Sequence, residues 1–185
     1  FSFSLVSVKS QVAAKHEDTE FYTPVPVVVT PAKSNDGAPS DAVVLFDGSN
    51  LDNWVTTNDS TKAANWIVSK KVIVVNKNSG NIQTKQSFLD YQLHLEWRVP
   101  KNITGTGPIR GNRGLFLASI SSGDAGYELQ ILDSYTNATY VNGQAGVVYK
   151  QYAPLVNPNT KPGKWQCYDV VWTAPRFNTD GRLKS

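Results

Sequence analysis

The stretch Tyr91-Gln-Leu-His-Leu-Glu-Trp-Arg-Val99 decides the fold class. Side chains of a strand alternate between its two faces, so Tyr91, Leu93, Leu95, Trp97 and Val99 point one way and Gln92, His94, Glu96 and Arg98 the other. One face is built for a core and the other for water. A helix of the same composition would scatter these residues around its circumference. The segment Tyr127-Glu-Leu-Gln-Ile-Leu-Asp133 repeats the pattern, with Tyr127, Leu129 and Ile131 apolar and Glu128 and Gln130 opposite. Two strands thus carry carboxylates on open faces, an arrangement suited to lining a carbohydrate cleft.

Working outward, short runs rich in Val, Ile, Tyr, Phe and Trp recur between Gly, Asn, Asp and Pro clusters. Strands are predicted at 43–46, 66–68, 72–75, 91–99, 114–119, 127–132, 146–150 and 166–173. No helix-period segment of convincing length intervenes, so the expectation is an all-β sandwich or barrel. The domain is read as residues 41–185. Residues 15–40 are polar and Pro-rich (Pro24, Pro26, Pro31, Pro39) and read as an extended lead-in. Residues 1–14 read either as the remainder of a secretory signal cleaved after Ala14, or as a short strand in which Phe1, Phe3 and Leu5 alternate with serines. With no methionine and Phe1 at its start, the chain is expected to be a processed or partial product.

Composition narrows the function. The 185 residues suit one domain with a real core, and 40% apolar against 18% charged residues argues against disorder. No apolar run approaches the roughly 18 residues of a membrane span. A net charge of +3, dispersed along the chain, does not point to nucleic acid. A single cysteine, Cys167, excludes an internal disulfide framework and is expected to be a small buried hydrophobe. The tryptophans, alternating with apolar neighbours, are expected in the core. With two histidines in all, a multi-histidine metal site is not expected. Acidic groups near Glu128 leave room for a divalent cation on oxygen ligands, though no spacing demands one, and no cofactor is expected. Past residue 20 the only glutamates are Glu96 and Glu128, so glutamate chemistry in the domain falls on those two.

Three constellations could carry chemistry. In Glu128-x-Gln130-x-x-Asp133, a bulge after Gln130 would bring all three polar side chains to one face. The trio resembles the Glu-x-Asp-x-x-Glu signature of retaining glucanases, in which paired carboxylates act as nucleophile and acid/base; here the middle acid is an amide and the last an aspartate. An exposed polar strand face would read the same way. The second is His94, Glu96 and Arg98 on one face, where Arg98 would hold Glu96 ionised; a solvated cross-strand ion pair is the alternative. The third is Arg110-Gly-Asn-Arg113-Gly114, whose glycines permit a tight turn delivering Asn112 and Arg113 to a rim. After the Glu128 strand, Tyr135, Tyr140, Tyr149 and Tyr152 suit stacking on sugar rings and hydrogen bonding to hydroxyls. Asn58, Asn102 and Asn137 begin glycosylation triplets, relevant only in a eukaryotic secretory route.

Several phrases in order go beyond patterning. They are Asp41-Ala-Val-Val-Leu-Phe-Asp-Gly48 with Leu51 and Trp54, Gly80-Asn-Ile-Gln-Thr-Lys85, Gln92 to Arg98, and Gly111-Asn-Arg-Gly-Leu-Phe-Leu117. Tyr127 to Tyr135, Asn142-Gly-Gln-Ala-Gly146, Tyr149-Lys-Gln151 and Ala174-Pro-Arg-Phe177 follow. Across roughly residues 20–185 the chain resembles the 3-keto-disaccharide hydrolase family. The resemblance implies a concanavalin A-like β-sandwich, or jelly roll, exported to the periplasm, cell surface or medium of a glycan-degrading bacterium. It implies action on sugars already oxidised at C3, with a small carbohydrate as the partner. Arg113 stands where the family commonly has Ser in Gly-Asn-Ser-Gly. The family also continues past Gly181, so the jelly roll is expected to lack its last strands.

A ketone at C3 acidifies the C2 hydrogen. A base removes it, the C1 leaving group departs by elimination, and water adds back. The catalytic candidates are Glu128 as base or acid, Asp133 as second carboxyl group and Arg113 at the developing oxyanion. Gln130, His94, Glu96, Asn112, Tyr149 and Lys150 are the substrate-binding candidates. The rival readings are a conventional retaining glycosidase using Glu128 and Asp133, and a non-catalytic carbohydrate-binding module.

Overall fold

The structure, a computed structural model, describes residues 15–34, 37–119 and 125–184. Both readings of residues 1–14 fall outside the described residues. The chain divides into two compact units, Phe1–Val44 and Leu45–Ser185. In the first, a 3-10 turn at His16–Thr19 is closed by the Lys15 amide donating to Asp18 Oδ2 at 3.1 Å. The Pro-rich remainder forms no described strand, as expected where proline removes ladder donors. Thr30 and Ser40 close a loop within it by mutual hydrogen bonds.

The second unit is built from antiparallel strand pairs. Strand β1 (Trp54–Thr56) pairs with β4 (Ile82–Thr84), and β2 (Ile67–Ser69) forms a hairpin with β3 (Val72–Val74). Strand β5 (Tyr91–Trp97) pairs with β8 (Gln166–Trp172), and β6 (Arg113–Phe116) with β7 (Glu128–Ile131). Among the described residues, helix is confined to 3-10 turns, and no helix is long and apolar enough to cross a membrane.

The alternation in β5 is realised residue by residue. Tyr91, Leu93, Leu95 and Trp97 are shielded while Gln92, His94 and Glu96 are exposed, and β8 repeats the rhythm with Tyr168, Val170 and Trp172 inward. The inner face of this ribbon meets β7 through aromatic contacts. Trp172 lies with its ring centroid 5.6 Å from that of Tyr127, the residue before β7, while Trp97 sits 5.4 Å from Tyr168 within the ribbon itself. Trp97, Val99, Leu132 and Ala145 form the buried centre, with Ile131 and Tyr168 against it. The Tyr168 hydroxyl donates to the Gln130 carbonyl at 2.7 Å, a polar rivet between the two layers. Burial pushes the Tyr168 phenol far above its usual pKa.

Several expected strands differ. The run 43–46 joins no ladder; Leu45 instead gives its carbonyl to the indole of Trp54 at 2.8 Å. Residues 146–150 run beside β7 and exchange backbone hydrogen bonds with Glu128 and Gln130, but positive φ at Gly146 (82°) and Lys150 (59°) prevents a regular strand. Strands β1 and β4, three residues each, carry too short a pattern to stand out. Cys167 is exposed, because it sits on the outer face of β8 opposite Glu96. Trp165 departs from the core expectation as well, at 45% exposure, since it precedes β8 and never enters the inner face.

Candidate functional site

The outer face of β6 and β7 carries the site. Register groups Gly114 and Phe116 with Gln130 and Glu128 on one face, and Arg113 and Leu115 with Ile131 and Leu129 on the other. Because Ile131 packs on the core, Glu128 projects away from the β5–β8 ribbon. Its carboxylate lies across Gly114, so close that any Cβ there would collide with it. Glycine at 114 therefore makes the room the carboxylate occupies.

The chain returning at 140–150 walls this face. The Tyr149 amide donates to the Glu128 carbonyl at 2.9 Å, and the Tyr140 and Tyr149 hydroxyls lie 2.7 Å apart. The hydrogen bond from Tyr149 raises the Tyr140 pKa, with smaller contributions from desolvation and from the negative charges of Tyr149 and Glu128. Glu128 is thus electrostatically coupled to the hydroxyl pair. Lys150 stands over the Tyr149 ring with Nζ 5.5 Å from its centroid. Its left-handed backbone is held by its amide donating to Asn142 O at 2.9 Å and by Asn142 Nδ2 donating to Lys150 O at 3.4 Å. Glu128, Tyr149 and Lys150 are brought together. Tyr140 joins them through its hydroxyl, a role that tyrosine density marks only as a cluster.

The remaining predicted residues do other things. Gln130 is 1% exposed, and its Nε2 lies within 3.0 Å of Asn112 Oδ1 and the carbonyls of Arg113 and Ile131. It ties β7 to the start of β6 and has no open face from which to orient a sugar. Asn112 is spent in the same tie and donates to Pro108 O at 2.7 Å. No bulge carries Asp133 to the Glu128 face: β7 ends at Ile131, and the Asp133 side chain, 2% exposed, turns to Arg110 with 2.7 Å between Oδ2 and Nε. That contact is an ion pair whose donor direction lies off the hydrogen-bond line. Oδ1 also caps the Tyr135 amide at 3.2 Å, so Asp133 anchors a turn. Strand alternation sends Arg113 to the opposite face, and its guanidinium donates to the Asn112 carbonyl. His94 and Glu96 lie on the outer face of β5, two layers from Glu128, where His94 pairs with Asp169 across the ribbon at 2.7 Å. Asn137 is engaged by Gly107 and Asp133, its side-chain amide hydrogen-bonded to their backbone groups. Among the described residues no three of His, Cys, Asp and Glu converge as a metal shell.

Residues 41–182 match the family described as the 3-keto-alpha-glucoside-1,2-lyase-like domain. The chain belongs to this family. Its fold is the concanavalin A-like β-sandwich, of which the antiparallel pairs described above are part. A crystal structure of a candidate glycosyl hydrolase from Parabacteroides distasonis is 49% identical, with a TM-score of 0.84 over 95% of this chain and 73% of that one. A second candidate glycosyl hydrolase from the same bacterium shares the fold at 22% identity, with a TM-score of 0.55 over 71% of this chain and 63% of that one. No curated protein matches. Family and neighbour together support a glycoside hydrolase-like domain acting on carbohydrate.

Proposed function

We propose that this chain cleaves 3-keto-glycosides, with Glu128 as the base that removes the C2 proton. The observation carrying the reading is the Glu128 carboxylate laid over Gly114 beside a paired tyrosine hydroxyl and a lysine, in a member of this family. Proton abstraction by Glu128 leaves an enolate whose oxygen the Lys150 ammonium stabilises. As the C1–O bond breaks, the Tyr140–Tyr149 pair supplies a proton to the departing oxygen. Water then adds to C1 and a proton returns to C2, so the products are a 3-keto sugar and the released alcohol.

The retaining-glycosidase reading asks Asp133 to approach a sugar, whereas its carboxylate is buried and paired with Arg110. A binding module would need no base. Incubation with matched oxidised and unoxidised disaccharides separates the three readings: the proposal expects product from the 3-keto substrate alone. Glu128→Gln is expected to lower that turnover by about 10²–10⁴-fold without altering the fold. Full turnover in the folded variant would overturn the assignment. Export to the periplasm, cell surface or medium belongs to the same proposal, and fractionation of the producing cell tests it.

A further inference from the structure

On the far side of the β5–β8 ribbon from Glu128, a groove runs between the β2–β3 hairpin and the outer face of β5. Its lining combines apolar Val72, Val74 and the half-exposed Trp165 with the cations Lys70, Lys71 and Arg98, and Glu96 is the one acid among them. Arg98 lies 4.6 Å from the centroid of the Trp165 ring. Stacking holds a guanidinium in place while leaving its in-plane N–H donors for another partner. Among the described residues no carboxylate lies within ion-pairing distance of Lys70, Lys71 or Arg98.

The hairpin itself is unusual. Ser69 pairs with Val72, so Lys70 and Lys71 are the whole turn, and both adopt positive φ (52° and 61°). Two-residue turns of this kind favour Asn-Gly, and lysine with its Cβ is strained in each place. Strain retained where a relaxed sequence exists points to a use for the side chains. Both lysines line a groove that also holds apolar residues.

We propose that this groove is a second carbohydrate site, one that binds acidic oligosaccharides. A uronate ring offers an apolar face to Trp165 and the valines, and a carboxylate to Lys70, Lys71 and Arg98. The proposal stands independently of the chemistry at Glu128. Its test is calorimetric titration of the whole chain with a hexameric oligogalacturonate, with a neutral hexaose and a hexathymidylate as comparison probes. Binding of the oligogalacturonate is expected to weaken with added salt, to fall about tenfold or more in Trp165→Ala, and to fall similarly in the double variant Lys70→Asn/Lys71→Gly. That double variant relaxes the turn, so its Tm is expected to rise by about 2–4 °C while binding falls and turnover stays unchanged. Binding is expected to survive in Glu128→Gln. Absence of oligogalacturonate binding, wild-type affinity in the double variant, equal binding of either comparison probe, or loss of binding in Glu128→Gln would each overturn the proposal.

Discussion

Strands β5 and β7 present similar text: each sets a glutamate, Glu96 or Glu128, on the face opposite its apolar residues. Their surroundings differ. Beyond the outer face of β5, the His94 ring and the Asp169 carboxylate lie 2.7 Å apart and open to solvent, at 62% and 75% side-chain exposure. Beyond the outer face of β7, the 140–150 segment closes in with two tyrosines and a lysine, and Gly114 hollows out a berth for the carboxylate. What separates the His94–Asp169 stretch of a strand face from the proposed reacting site is thus the segment packed opposite, which neither strand encodes.

The comparison breaks most sharply at Gly114. Gly114→Ala puts a methyl where the Glu128 carboxylate lies, and the carboxylate must move. Since misplacing a reacting group by about 1 Å can cost about 10²-fold, kcat on a 3-keto-glucoside is expected to fall by about that factor. Circular dichroism is expected to be unchanged, because Gly114 is exposed. Retention of wild-type kcat would detach Glu128 from the chemistry.

Asp133 sharpens the comparison from the stability side. Asp133→Asn leaves Arg110 facing a neutral group in a largely buried site, and removing one partner of a buried pair costs about 3 kcal/mol. Urea denaturation should show that loss, while kcat of the folded fraction changes little. A large loss of kcat at unchanged stability would return Asp133 to the reacting centre.

How much of this was legible follows from the physics of each element. The faces of β5 and β8 could be read directly, because seven residues of unbroken alternation leave one register. The burial of Gln130 is not legible for a specific reason: a polar residue on a strand face reads as wet unless one knows that Asn112 and two carbonyls converge on its amide. Asp133 was misplaced similarly, since Arg110, 23 positions earlier, comes beside it only after folding. Family resemblance supplied the fold name, but residue roles depended on which side of β7 each neighbour fell.

The rivet between the two regions gives a smaller, pH-dependent effect. Burial holds the Tyr168 phenol protonated in the folded state, whereas an unfolded chain releases that proton near pH 10 (about 10 for free tyrosine). The folded pKa is raised, so this group's contribution is fully present below about pH 10 and is lost as pH rises beyond it. Tyr168→Phe forfeits the hydrogen bond to Gln130 O, about 1 kcal/mol at neutral pH. Denaturation measured from pH 9 to 11 should therefore show a shallower decline in the variant than in wild type. Parallel declines would place the alkaline sensitivity elsewhere.

The smallest expected effect lies on the open ribbon. His94→Gln removes the cross-strand pair with Asp169, but both side chains are well solvated, and such pairs contribute little. The Tm is expected to move by less than about 2 °C at neutral pH, and turnover not at all. The value of so small an effect is the contrast it sets. Two polar rows written alike, one altered at Gly114 without touching an ionisable group and one altered at a titratable residue itself, would respond in inverse order to their apparent chemistry. A loss of kcat in His94→Gln matching that in Gly114→Ala would mean that the outer face of β5 belongs to the reacting site after all.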